Sequence, residues 1–197
     1  MAKPGRNLTG LSIAYSEGMA GKWLELLQEI VPRLSTVAVL TNPGNPWERD
    51  RMKDLSSIST ERHLKIRIIN IREPEALDRA FDEAGREAQA VLVIGNALTL
   101  THQRQITALA AKHRLPTMYN VREFVDAGGL MAYASDWAAQ YRRAADYVDK
   151  ILRGASPSDL PIEQPTEVQL IVNLRAARAI GVSIPREVLL RADEVIQ

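Results

Sequence analysis

Apolar residues follow two rhythms along this chain. Short runs that are apolar throughout, 36–41 (Thr-Val-Ala-Val-Leu-Thr) and 89–94, predict strands buried on both faces. Segments in which apolar residues recur every third or fourth position predict amphipathic helices. The first runs over about 17–31, with Met19, Trp23, Leu26, Leu27 and Ile30 on one face and Pro32 stopping it. A polar helix follows over 47–63, then a strand over 64–71. Pro74 suits the first turn of a helix that turns Leu77, Ala80, Phe81 and Ala84 inward. After the strand at 89–94, a helix is expected over 98–113, a strand over 115–119 and a short helix over 121–127, ending at Gly128-Gly129.

Strands this apolar, separated by helices long enough to serve as crossovers, belong to an α/β fold: a doubly wound parallel sheet with helices on both faces. That unit is expected over 1–128. The remainder, 129–197, reads as a return segment. It holds a strand over 129–134 and a long helix capped by Asp136 that carries Trp137, Tyr141, Ala144, Val148, Ile151 and Leu152 on one stripe. A Ser/Asp/Pro-rich connection over 155–164 leads to a strand over 168–172. Asn173 then caps a helix over 174–180, and a last amphipathic turn or two starts at Pro185. No internal repeat or low-complexity tract interrupts the pattern.

Charge and composition narrow the function classes. The 25 basic and 24 acidic residues leave a formal charge of +1 spread along the chain, with no basic stripe for nucleic acid or an anionic membrane surface. Cysteine is absent, which excludes disulfides, thiolate metal sites and a cysteine nucleophile. No run approaches the ~20 apolar residues of a membrane span, and the sequence as written opens without the apolar core of an export signal.

Open α/β sheets take ligands outside the carboxyl ends of their strands, which directs attention to the loops at 42–46, 70–73, 95–99 and 119–123. Asn42, Pro43, Gly44, Asn45 and Asn96 supply uncharged donors and acceptors suited to a zwitterionic or polyhydroxylated solute. In any one loop these residues equally serve the turn itself. Tyr119, Tyr133 and Trp47 stand at strand or loop ends, where they could line a pocket for a flat ligand. Glu123 is the carboxylate of that rim, either meeting an ammonium group or favouring the first turn of its helix. Trp23, Trp137 and Tyr141 lie on helical stripes and read as packing residues.

Signatures of catalysis are missing: no nucleophile elbow, phosphate loop, dinucleotide fingerprint or zinc-protease motif occurs. His63 and His113 fall at helix ends, His102 falls in a first turn, and no His/Asp/Glu cluster has ligand spacing. No catalytic residue, metal site or cofactor is expected.

Several stretches in order resemble one known family. They are Pro4-Gly5-Arg6-Asn7-Leu8-Thr9-Gly10, Lys22-Trp23-Leu24-Glu25-Leu26-Leu27, and Val37-Ala38-Val39-Leu40 with Asn42-Pro43-Gly44-Asn45-Pro46. Further along come Ala110 through Pro116, Arg122 through Met131, Tyr147 through Ala155 and Leu160 through Thr166. Together they resemble the ABC-transporter substrate-binding proteins of tryptophan/tyrosine type, whose fold is the type I periplasmic binding fold. The resemblance implies the second lobe of a two-lobed receptor that closes on a small amino-acid-like solute, aromatic amino acids being the family label, and hands it to an ABC permease outside the cytoplasmic membrane. It also implies an export signal and a first lobe ahead of the Pro-Gly-x-Asn-x-Thr-Gly hinge, and neither is in this sequence. A shortened product is expected, or a homodimer that covers the apolar face of the return strand and helix. Where the family carries Pro or Asp, this chain has Gly95-Asn96, which keeps hydrogen-bonding capacity and removes a charge. A ligand-sensing or interaction module of the same fold is the competing expectation.

Overall fold

The computed structural model describes residues 6–12, 18–164 and 168–197, apart from the side chains of Pro46, Trp47, Arg49, Asp50 and Arg51. Readings that rest on Pro4, Gly5, Glu17, Pro165, Thr166 or the Trp47 side chain lie outside the described residues.

The apolar runs become the middle of a seven-stranded sheet. Its strands are β1 (Thr36–Thr41), β2 (Lys65–Asn70), β3 (Ala90–Val93), β4 (Thr117–Tyr119), β5 (Met131–Ser135), β6 (Val168–Asn173) and β7 (Glu194–Ile196), in the order β2-β1-β3-β4-β5-β6-β7. Parallel pairing joins β1 to β2 and β3, β3 to β4, and β4 to β5. β6 and β7 pair parallel with each other. Asn173 N donates to Leu130 O at 2.8 Å, which sets the end of β6 beside the start of β5. The last two strands therefore run against the first five. β1 and β3 are buried almost throughout, as strands covered by helices must be, whereas β2 is the half-exposed edge.

The helices are α1 (Met19–Ile30), α2 (Pro46–Glu61), α3 (Leu77–Glu87), α4 (Ala97–Thr101), α5 (Gln103–Lys112), α6 (Glu123–Asp126), α7 (Trp137–Leu152), α8 (Leu174–Ile180) and α9 (Arg186–Arg191). α1 buries the expected stripe of Met19, Trp23, Leu26, Leu27 and Ile30, and α3 buries Leu77, Ala80, Phe81 and Ala84. The single helix expected over 98–113 is two, broken at His102. At the break Thr101 Oγ1 donates to Ala97 O at 2.8 Å and His102 Nδ1 lies 2.9 Å from Leu98 O, side-chain bonds made beside the helical bond from His102 N to Leu98 O at 3.2 Å.

The chain divides into two compact units, Met1–Glu17 with Ser135–Val168, and Gly18–Ala134 with Gln169–Gln197. This grouping differs from the expected division into 1–128 and 129–197. β5 pairs with β4, and β6 and β7 extend the same sheet, so these strands share the core of the segment before them. The expectation that the strand after Gly129 exposes an apolar face is corrected for the same reason: Met131, Ala132 and Ala134 are buried.

The smaller unit is held by polar ties. Leu11 and Glu163 form a parallel bridge, with Ser12 N donating to Glu163 O at 2.7 Å and Glu163 N to Gly10 O at 3.1 Å. Thr9 Oγ1 donates to Leu160 O at 2.9 Å. From α7, Tyr147 Oη donates to Pro161 O at 2.8 Å, and the Arg143 guanidinium grips both Glu163 oxygens at 2.6 and 2.8 Å. That guanidinium holds the Glu163 carboxyl down at about 2. The Asp136 side chain caps α7 through Ala139 N at 2.9 Å, as its sequence position suggests. Yet Tyr147 is the one buried residue of this helix, and Tyr141, Val148 and Leu152 are 72%, 55% and 82% exposed.

Candidate functional site

The strand order β2-β1-β3-β4-β5 has a switch point between β1 and β3, where connections leave neighbouring strands in opposite directions. A crevice opens outside the carboxyl ends of strands at such a point. Leu40 stands beside Val93, Val93 beside Tyr119, and Tyr119 beside Ala132, so the residues after β1, β3 and β4 line one rim with Tyr133 of β5 beyond them.

On the β1 side the backbone turns at 42–45. Asn42 Oδ1 accepts from Gly44 N at 2.9 Å, and Asn45 N donates to Asn42 O at 3.0 Å, the local bonding that makes asparagine a turn residue. Pro43 and Gly44 form the outer part of this turn. Across the switch point, Asn96 caps α4. Its Oδ1 accepts from Thr99 N at 3.0 Å, while Thr99 Oγ1 accepts from Asn96 N at 2.9 Å. The two loops meet on a residue that the sequence pattern places in a polar helix. Glu48, in the first turn of α2, is 2% exposed. One carboxylate oxygen accepts from Thr41 Oγ1 at 2.5 Å and Asn42 N at 2.6 Å. The other accepts from Asn45 Nδ2 at 3.0 Å and Asn96 Nδ2 at 2.8 Å. Asn42, Asn45 and Asn96 are thus brought together around one carboxylate. The signal for it stands in the sequence as Asn45-Pro46-Trp47-Glu48, a capping residue, proline at the first helical position and a glutamate at the third.

A second buried polar residue, Asn120, joins β3 to β4. It is fully buried and its Oδ1 accepts from Gly95 N at 2.6 Å. A Cβ at position 95 would lie 2.9 Å from both Asn120 Oδ1 and a Val121 methyl, so this contact requires glycine. Asn120 was missed because a lone asparagine after a strand reads as a turn.

Tyr119 is a correction. Its side chain is fully buried and stacks on Phe124, with ring centroids 4.6 Å apart. It lines a small pocket with Thr107, Gly129, Leu130 and Ile180 rather than the rim. Burial pushes the pKa of its hydroxyl upward, against a smaller lowering by the Thr117 side chain. The sequence shows that Tyr119 ends a strand, but only the register shows which way it points. Tyr133 is half-buried on β5, one residue past Ala132, and its carbonyl accepts from Trp23 Nε1 at 2.8 Å. Glu123 opens α6 half-buried, and its carboxylate makes no hydrogen bond or ion pair among the described residues. Next to it Arg122 pairs with Glu194 of β7 at 2.6 and 3.0 Å and with Asp126 at 3.2 Å. The Arg122 guanidinium lowers the Glu194 pKa.

Among the described residues no group of three or more His, Asp or Glu could hold a metal, and no helix is long and apolar enough to cross a membrane. Polar groups thus gather at the ends of β1 and β3, most of them bonded to one another.

Solved structures share this fold. A conserved domain protein from Vibrio cholerae O1 biovar El Tor is 23% identical with a TM-score of 0.87, over 98% of this chain and 64% of that one. An ABC domain in complex with L-Trp from Streptococcus pneumonia is 20% identical with a TM-score of 0.86, over 98% and 65%. A periplasmic binding protein/LacI transcriptional regulator from Alkaliphilus metalliredigens, complexed with D-xylulofuranose, is 13% identical with a TM-score of 0.60, over 83% and 64%. The fold is that of the type I periplasmic binding proteins, and this chain spans about two thirds of the length of these structures. No curated protein matches it significantly. The family model for the ABC transporter substrate binding protein matches residues 1–196, and the chain belongs to that family.

Proposed function

We propose that this chain is the solute-binding part of an ABC uptake system, working outside the cytoplasmic membrane and passing its solute to an ABC permease. The family match over residues 1–196 carries this reading. The solute is a small amino-acid-like molecule, with aromatic amino acids the first to try, since L-Trp is named in one structure of the same fold. Asn42, Pro43, Gly44, Asn45 and Asn96 form one side of the rim, Glu123 meets the ammonium group, and Tyr133 packs on an apolar side chain. The solute is bound and released unchanged, with neither catalysis nor a cofactor.

On this reading the rim supplies one wall of the site and a preceding lobe supplies the other by hinge closure. The exposed apolar side chains of α7 are the surface such a lobe, or a second copy in a homodimer, would cover. A thermal-shift screen of the twenty amino acids, with and without a first lobe supplied from a relative, tests it. A solute that binds the folded state raises Tm by mass action. A rise with aromatic amino acids that grows when the first lobe is added is the expected result. No rise in either condition would overturn the reading and favour a sensing or interaction module of the same fold.

A further inference from the structure

We propose that Glu48 is a positioning residue of the rim, a buried latch that ties the loop after β1 to the loop after β3 across the switch point and presets their asparagines for the solute. The inference rests on the solute-binding reading of that rim. It concerns a residue that need not touch the solute at all.

At the switch point the two loops depart in opposite directions, so backbone pairing between β1 and β3 ends at Leu40 and Val93. Beyond it, Ile94 N still donates to Leu40 O at 3.2 Å, and then the backbones separate. Without a further tie each loop would sample its own conformations, and ordering them on binding would weaken affinity. Glu48 supplies that tie. One oxygen is filled by Thr41 Oγ1 and Asn42 N on the β1 side. The other is shared between Asn45 Nδ2 and, from beyond β3, Asn96 Nδ2. Four donors around one buried carboxylate account for how its charge is tolerated at 2% exposure. Its place in the first turn of α2 adds the favourable end of the helix dipole.

The same bonds fix the amides. Asn96 has Oδ1 on Thr99 N and Nδ2 on Glu48, so its side chain cannot rotate without losing both. Asn42 has Oδ1 on Gly44 N and its backbone N–H on Glu48, while its Nδ2 makes no hydrogen bond among the described residues. Asn42 Nδ2 is thereby a donor this loop can offer a solute. Second-sphere carboxylates that orient a contacting group are a general device of binding sites, and loosening them degrades the contact they hold.

Glutamine is the decisive substitution because it keeps shape and removes charge. In either orientation its NH2 faces two donors: Asn42 N–H with the Thr41 hydroxyl, or the two asparagine amides. Only the Thr41 hydroxyl can turn to accept at no further loss. E48Q, the milder T41V and the control V188A, which opens a cavity at a fully buried site in α9, are compared with the wild-type chain. Each is isotopically labelled and titrated with L-tryptophan by NMR, a method that reads weak binding. Thermal melts are recorded on the same samples.

In E48Q the side-chain amide resonances of Asn45 and Asn96 should move, and the Asn42 N–H should exchange about tenfold faster or more. L-tryptophan should bind about tenfold more weakly. T41V should show the same changes at smaller size. V188A should lower Tm while leaving the asparagine resonances and the affinity as in wild type. Unmoved Asn45 and Asn96 amides in E48Q, or an affinity loss no larger than that of V188A, would overturn the proposal. If the wild-type chain alone does not bind L-tryptophan, the amide resonances and Asn42 exchange decide whether Glu48 is the latch, and the same titration with the first lobe supplied decides the solute-binding reading.

Discussion

The two units of this chain are stabilised by different physics. In the larger, Trp23, Phe81, Leu92 and Phe124 are wholly buried among helices and a continuous sheet, so hydrophobic burial dominates. In the smaller, a 16-residue helix buries one side chain, and the ties that hold it to the segments around Leu11 and Glu163 are hydrogen bonds and an ion pair. Surface ion pairs contribute little each. The contrast teaches that the larger unit rests on a hydrophobic core, while the smaller leaves Tyr141, Val148 and Leu152 of its apolar stripe exposed.

The sharpest way to break the comparison is to empty the core of the larger unit. Trp23→Ala removes a fully buried indole and the Nε1 bond to Tyr133 O, and should cost about 3–5 kcal/mol in urea unfolding. Next in size is Gly129→Ala. A Cβ there would lie 2.5 Å from Tyr119 Cε2 and 2.7 Å from Phe124 O, and the backbone oxygen cannot give way as a flexible side-chain end could. A loss of about 1–3 kcal/mol by the same measurement is expected.

The smaller unit should answer to pH instead. The Glu163 carboxyl, ordinarily at 4.5, is lowered to about 2, chiefly by its hydrogen bonds from Arg143. A carboxyl lowered in the folded state stabilises fully above its unfolded value, and the contribution is lost as pH falls from 4.5 through about 2. E163Q should therefore be less stable than wild type above 4.5, and the two should converge at the acid end of that window in thermal melts. Equal acid sensitivity in both would assign the slope to other carboxylates. The smallest effect belongs to α7: Leu152→Lys should change stability by no more than about 0.5 kcal/mol, because the side chain is 82% exposed. It should instead lower the binding of a hydrophobic dye. A loss of several times that size would mean that Leu152 is covered in solution.

Much of the architecture is legible along the chain. The runs at 36–41 and 89–94 need burial on both faces, and that demand alone predicts a helix-covered parallel sheet. Asp136 and Asn173 announce helix starts, and each side chain accepts a backbone N–H there. β7 was not legible, because Glu194, Val195 and Ile196 are too few for a period to register. The break at His102 escaped for a different reason, since it interrupts the helix without interrupting the hydrophobic rhythm.

At the candidate site the division is finer. Sequence alone placed Asn42, Asn45, Asn96, Glu123 and Tyr133 in loops or strand ends, because turn residues and strand ends are local features. It could not show that Glu48 gathers three of those asparagines, nor that Asn120 clasps Gly95, since such contacts join residues 48 and 25 positions apart. It also left the direction of Tyr119 open, because register across a sheet decides which face a side chain takes. The sequence by itself determined which segments are strands, helices and turns, through short-range propensity and periodicity. Strand order, the membership of β5 to β7 in the first sheet and the convergence of polar groups on Glu48 were decided by tertiary structure, because long-range packing is what brings distant residues within hydrogen-bond reach.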